Sequence, residues 1–197
     1  MGAYTPTPLV DQKMMSQIIS QILKPIILGM KKIDQLYKGV LYAGLMLTKE
    51  GPKVLEFNCR FGDPETQPQL MLLKSDLVNL ILACLKSNLK NERIRWYPGF
   101  SVCVILASKG YPISYKKGFE VQGLSKRKTA SIQIFHAGTK LEKSQVVTNG
   151  GRVLGVTSRA PTLKQAIKKT YEQINKIKFK NKYYRTDIGT KAFVKDD

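Results

Sequence analysis

Cysteine and histidine are both scarce in this chain. Cys59, Cys84 and Cys103 are scattered and odd in number, and His136 is the single histidine. Such a set supplies neither a disulfide framework nor a zinc site, and it points to a reducing, cytoplasmic compartment. Long apolar runs are missing too. A stretch such as "LVNLILACL", Leu77 to Leu85, falls far short of the roughly 20 residues that a membrane helix needs. The opening "MGAYTP" has neither a basic nor an apolar segment, so no secretory signal is expected. Internal repeats, low-complexity tracts and a Gly-rich phosphate loop are absent as well.

What is present is an ordinary globular composition with an unusual charge. The 197 residues are 43% hydrophobic and 24% charged, enough for one substantial domain or two small ones. Lys and Arg number 33 against 14 Asp and Glu, a formal net charge of +19. That balance raises a basic nucleic-acid-binding module as one reading, with the dense run Lys164 to Arg185 as its contact surface. Only 7 of the basic residues are Arg, the side chain suited to bidentate base contacts, and no helix-turn-helix, RNA-recognition or zinc-finger pattern accompanies them. A lysine-rich solvated surface, or a field that attracts a small anionic substrate, accounts for the charge equally well.

The hydrophobic pattern divides the chain. Apolar pairs at Met14-Met15, Ile18-Ile19, Ile22-Leu23 and Ile26-Ile27 predict a helix, with a kink or break at Pro25, which has no N–H to give. "YKGVLYAGLML", "TKEGP" and "KVLEFNCR" predict a strand, a turn and its antiparallel partner. A helix over Asp76 to Lys86 follows, with Ser75 as its expected N-cap. After Trp96-Tyr97-Pro98-Gly99 the texture becomes that of short strands: "SVCVILAS", "SIQIFHAGT", "SQVVTN" and "RVLGVTS". Thr162 with Gln165 makes a capping-box pattern, and Leu163, Ala166, Ile167, Tyr171, Ile174 and Ile177 form a stripe that predicts a helix packed on a small sheet. The reading is an α+β chain, with one part over 1–97 and a β-rich part carrying a packed helix over 98–197.

One strand carries the chemistry. In "VLEFNCRFGDPETQ", Val54 to Gln67, the period of two puts Glu56, Asn58 and Arg60 on one face and Leu55, Phe57 and Cys59 on the other. Glu56 and Asn58 offer hard oxygen donors of the kind Mg²⁺ takes, and Arg60 a clamp for a phosphate or acyl phosphate. Spacing alone leaves this open against a surface ion pair with a solvated amide. Asp63 stands equally open, as a site residue or as the cap of a following helix.

The wider pattern is more specific. "RFGDPETQ", Arg60 to Gln67, resembles the signature of the phosphoribosylamine–glycine ligase (glycinamide ribonucleotide synthetase) family of ATP-grasp enzymes. "MGAYTPTP", "GVLYAGLMLTKEGPKVLEFNCRFGDPETQPQL", "ASKGYP", "FHAGT", "TNGGRVLGVTS" and "YRTDIG" resemble the same family in the same order, over nearly the whole chain. The resemblance implies the C-terminal part of an ATP-grasp domain followed by the family's small C-terminal domain. It implies a reaction in which ATP, glycine and 5-phosphoribosylamine give ADP, phosphate and glycinamide ribonucleotide through an acyl phosphate. On the matching positions it makes Glu56 and Asn58 ligands of Mg²⁺ or Mn²⁺, and Arg60 and Asp63 catalytic residues. Arg60 would lie on the transferring phosphoryl group and nucleotide, while Arg152 and Asp63 bind substrate, Arg152 at the ribose phosphate. Ala43-Gly44-Leu45 stands where many ATP-grasp enzymes carry a second metal carboxylate, so a leaner metal set is expected. His136, alone in "FHAGT", is expected to be a hydrogen-bonded core residue, and Lys109 in "SKGYP" a turn lysine.

The family's enzyme is about twice this length. The resemblance therefore implies a further partner, an N-terminal half with its Gly-rich loop and nucleotide lid, without which this chain is expected to be inactive.

Overall fold

The structure is a computed structural model, and it describes residues 1–124 and 129–193. In chain order the elements are β1 (Gly2–Thr5), α1 (Gln12–Ile18), a π-helical stretch (Ile19–Leu23), α2 (Lys24–Lys32), β2 (Tyr42–Thr48), β3 (Gly51–Asn58), α3 (Thr66–Leu72) and α4 (Leu77–Leu85). They continue with β4 (Phe100–Ser108), β5 (Ile132–His136), β6 (Thr139–Glu142), β7 (Gln145–Thr148), β8 (Arg152–Ala160), α5 (Leu163–Lys176) and β9 (Lys182–Tyr183). The fold is α+β. Among the described residues no helix is long and apolar enough to cross a membrane.

Two compact units share the chain, and they interleave along it. The larger comprises Met1–Pro6, Asp63–Leu73 and Tyr97–Asp197; the smaller comprises Thr7–Gly62 and Lys74–Trp96.

The larger unit is built on an antiparallel sheet in the order β1-β4-β8-β5, with β9 also paired to β4. β4 is central and buried along nearly all of its length, which explains why "SVCVILAS" reads as a continuous apolar run rather than an alternating one. Register sets Val102 opposite Ser158, Val104 opposite Val156 and Leu106 opposite Leu154. Val102, Val104, Leu106, Leu154 and Val156 pack with Leu163, Ala166, Ile174 and Ile177 of the α5 region, as the stripe predicts. Thr162 caps α5 by accepting from the Gln165 amide at 3.3 Å. The buried hydroxyls of Ser158 and Thr170 are satisfied together inside this layer, each 2.9 Å from the Ala166 carbonyl and in hydrogen-bond contact with one another. α3 packs against β4, β8 and β1. A bulge between Leu106 and Ala107 sets Arg152 opposite Ala107 at the start of β8.

In the smaller unit Asp11 caps α1, accepting from the Met14 amide at 2.7 Å. The helix does not break at Pro25. Instead the turn before it widens, with the Lys24 amide bonding to the Ile19 carbonyl, and Pro25 enters the first turn of α2, where its missing N–H costs little. β2 and β3 form the expected hairpin, paired from Thr48–Gly51 to Tyr42–Asn58 with one bulge. The cap of α4 is Asp76 rather than Ser75. The Asp76 carboxylate accepts from the Val78 and Asn79 amides, while the Ser75 hydroxyl accepts from the Arg95 amide at 2.8 Å.

Candidate functional site

Glu56 and Asn58 lie on β3 with one residue between them, and period two brings their side chains into contact. The Asn58 amide donates to Glu56 Oε1 at 2.9 Å. With its nitrogen turned to the acid, Asn58 presents its amide oxygen as the acceptor that remains. The strand thus carries a carboxylate and an amide oxygen on one face, with the two side chains tied by that bond. Opposite them, Gly44 is the cross-strand partner of Glu56, and a Cβ there would stand 2.9 Å from Glu56 Cγ. A carboxylate at that position would crowd the acid. Among the described residues no three of His, Cys, Asp and Glu gather as a metal cluster. Glu56 and Asn58 fit a Mg²⁺ or Mn²⁺ that takes its other oxygens from phosphate and water, which is the usual condition of that ion.

The strand ends at Asn58. Arg60 therefore lies beyond it rather than on its face, and its Nη1 donates to the Phe61 carbonyl at 3.0 Å.

A second cluster belongs wholly to the larger unit. Arg152 donates through Nη1 to the Asp63 carbonyl at 2.6 Å, and the same atom stands 3.3 Å from Asp63 Oδ2. Its Nε donates to the Tyr111 hydroxyl at 3.3 Å. These acceptors, Tyr111 foremost, push the Arg152 guanidinium above its usual value and hold it charged. The other carboxylate oxygen of Asp63 accepts from Gln67 Nε2 at 2.7 Å. Asp63 therefore does not cap α3, whose N-cap is Glu65 without a side-chain bond. Gln67 Oε1 is buried and, among the described residues, has no hydrogen-bond partner.

The loop before Arg152 explains how Tyr111 reaches it. A Cβ on Gly151 would fall 1.9 Å from the Tyr111 ring, so only glycine lets the ring lie against this backbone. Ser108 fixes the same loop, its amide donating to the Gly151 carbonyl and its hydroxyl to that of Gly150.

The structure thus joins Glu56 with Asn58, and Asp63 with Arg152. Spacing gives no role to Tyr111 or Gln67, although both lie inside the motifs "ASKGYP" and "RFGDPETQ". His136 is hydrogen-bonded, its Nδ1 3.0 Å from the Thr139 hydroxyl, but it is exposed rather than a core residue. Lys109 sits in a turn as expected. In the lysine run from 164 to 185, Lys164, Lys176, Lys178 and Lys180 are exposed, while others are engaged. Lys169 donates to the Ser131 hydroxyl, Lys168 pairs with Glu172, and Lys182 donates to the Ile174 and Ile177 carbonyls at the end of α5.

The chain is of the ATP-grasp class: residues 1–66 match the family model described as phosphoribosylglycinamide synthetase, ATP-grasp (A) domain. Residues 101–191 match the model for the C domain of the same synthetase. The chain belongs to the phosphoribosylamine–glycine ligase family. It is 52% identical over 189 residues to the phosphoribosylamine–glycine ligase of Caldanaerobacter subterraneus, covering 96% of this chain and 45% of that one. It is 49% identical over 193 residues to the trifunctional purine biosynthetic protein adenosine-3 of Gallus gallus, covering 98% of this chain and 19% of that one. Among solved structures, the phosphoribosylamine–glycine ligase of Thermotoga maritima superposes with a TM-score of 0.79 at 36% identity, covering 95% of this chain and 46% of that one. The chain spans about half the length of the single-function ligases it matches, and the reading as a non-catalytic nucleic-acid module finds no support among these relatives.

Proposed function

We propose that this chain supplies the metal-holding strand and the C-terminal domain of a cytoplasmic purine-synthesis ligase that joins glycine to 5-phosphoribosylamine. Residues 1–97 serve as the C-terminal portion of the ATP-grasp domain and 98–197 as the C-terminal domain. The glycine carboxylate attacks the γ-phosphorus of ATP, the bond to ADP breaks, and glycyl phosphate forms. The amine then attacks the acyl carbon, phosphate leaves, and the nitrogen sheds a proton. Glu56 and Asn58 are the residues that would hold Mg²⁺ or Mn²⁺, which when bound offsets the negative charge of the phosphates. Arg60 supports the nucleotide and the phosphoryl group in transfer. Arg152 binds the ribose phosphate, and Asp63 orients Arg152 and the incoming amine.

The observation that carries this reading is the Glu56–Asn58 contact on β3, within a chain of this family. The adenine contacts and much of the substrate site are assigned to the upstream half, so the chain by itself is inactive. The test joins the chain to the upstream portion of the Caldanaerobacter relative and follows ADP release. Release should require both glycine and phosphoribosylamine, and Glu56→Ala should lower it by about 100-fold or more, the scale expected for loss of a metal contact. Glycine-independent release, or full activity in Glu56→Ala, would overturn the assignment. Glycine-dependent ADP formation by the chain alone, lost in Glu56→Ala, would overturn the need for the upstream half.

A further inference from the structure

The guanidinium of Arg152 is committed on two of its three nitrogens. Nε donates to the Tyr111 hydroxyl at 3.3 Å, and Nη1 is held by the carbonyl and carboxylate of Asp63. Among the described residues Nη2 makes no hydrogen bond, and it is the nitrogen left for a ligand. The side chain is 33% exposed, so a ligand can reach it. The Asp63 carboxylate also offsets the charge of the guanidinium. A phosphate arriving at an arginine already paired to an acid meets little net attraction, and a single nitrogen offers it no fork. A second donor is needed beside Nη2, and Tyr111 has one. A phenol accepts through its oxygen and carries one proton to give. Here the oxygen accepts from Arg152, and among the described residues the proton goes to no acceptor. Nε–H and one Nη2–H point the same way from the planar guanidinium, so a group bound at Nη2 lies beside the hydroxyl that Nε holds.

The hydroxyl is also fixed in place. The Tyr111 amide donates to the Ser108 carbonyl at 3.1 Å, the ring lies where a Cβ of Gly151 would stand, and the Tyr115 ring meets it edge-on with centroids 5.8 Å apart. A donor held by its surroundings loses little freedom when a ligand binds. We propose that Tyr111 is a ligand of the ribose phosphate in its own right, its hydroxyl giving its proton to a phosphate oxygen beside Arg152 Nη2. The proposal rests on the reading of Arg152 above and adds the second donor of that site. A phosphate group has three acceptor oxygens, so it takes Nη2 and the hydroxyl together. Tyr111 stays neutral as it donates, and the site gains a hydrogen bond without a second positive charge. Asp63 then occupies the Nη1 end and leaves the Nε–Nη2 edge to the substrate.

The experiment titrates the full, isotope-labelled chain with ribose 5-phosphate and with ribose. It follows by NMR the Nε–H signals of the 7 arginines and the amide signals of Gly150 and Gly151. Ribose 5-phosphate should shift the Arg152 signal, which is identified by its loss in Arg152→Lys, and ribose should not. Tyr111→Phe keeps the ring and should raise the Kd for ribose 5-phosphate about tenfold or more, the effect of losing a hydrogen bond to a charged group. In an Arg152→Lys background, Tyr111→Phe should weaken binding again by a similar factor, because the hydroxyl acts on the phosphate and not through the guanidinium. Disappearance of the effect in that background would reduce Tyr111 to a prop for Arg152 and overturn the proposal. An unchanged Kd in Tyr111→Phe, with a raised one in Arg152→Lys, would also overturn it while leaving the reading of Arg152 in place. An Arg152 signal that ribose 5-phosphate does not move in the parent chain would remove both.

Discussion

Gly151 shows how a single atom can decide a site. The Tyr111 ring occupies the place where a Cβ would stand, and the ring's hydroxyl in turn holds Arg152. Gly151→Ala must displace either the ring or the loop that Ser108 anchors. We expect it to destabilise the larger unit by about 1–3 kcal/mol, the cost of overpacking, read as a lower denaturant midpoint. Tyr111→Phe keeps the ring and removes only the hydroxyl, so it should fold normally. A second residue-scale prediction concerns acid. Arg185 grips Asp187 with two hydrogen bonds, the shorter from Nη2 and the other from Nε at 2.8 Å, and this holds the Asp187 carboxyl below 3.8. A carboxylate with a lowered folded value adds stability above its unfolded value and loses it as pH falls through the folded one. Asp187→Asn should therefore be less stable than the parent at pH 7 and should converge with it below pH 3.8, in melts across that range. Both side chains are exposed, so the difference will be small.

Elements were legible from the sequence where periodicity and punctuation agree. The stripe from Leu163 to Ile177 and its Thr162 cap announce α5, and the cap can be tested. Thr162→Ala should cost about 1 kcal/mol in the unfolding free energy of the larger unit, by loss of the bond to the Gln165 amide. The hairpin β2–β3 was equally readable from its turn. Other features depend on partners that no local pattern reveals. β1 pairs with β4 across about a hundred residues, through backbone groups that every sequence carries. The β6–β7 turn uses Lys143 and Ser144 at positive φ, without the Asn-Gly signature of such turns. Ser75 and Asp76 are both good caps, and only the distant Arg95 amide, which engages the Ser75 hydroxyl, decides between them. The site divides in the same way. The Glu56–Asn58 contact follows from period two within one strand. Arg152 meets Asp63 across 89 residues, and spacing cannot show that. Arg60 leaves the strand face because pairing with β2 stops at Asn58.

At the scale of the whole molecule, burial is distributed so unevenly that unfolding should not be a single event. The larger unit closes its core around Val102, Val104, Leu106, Leu154 and Val156, all at 2% exposure or less. The smaller unit has little buried apolar surface to resist denaturant, and cooperative units with different cores open at different free energies. The cysteines are placed to report both steps. Cys59 is exposed and Cys84 half-buried in the smaller unit, whereas Cys103 lies fully buried on β4. Burial pushes the Cys103 thiol up to about 12, so at pH 8 the reactive thiolate is on the order of one part in ten thousand even where reagent arrives. In pulsed thiol labelling across a urea titration, Cys59 should react without denaturant and Cys84 at low urea. Cys103 should react only in a second transition that coincides with loss of the β4–β8 pairing. Simultaneous labelling of Cys84 and Cys103 would instead mean that the two units unfold as one.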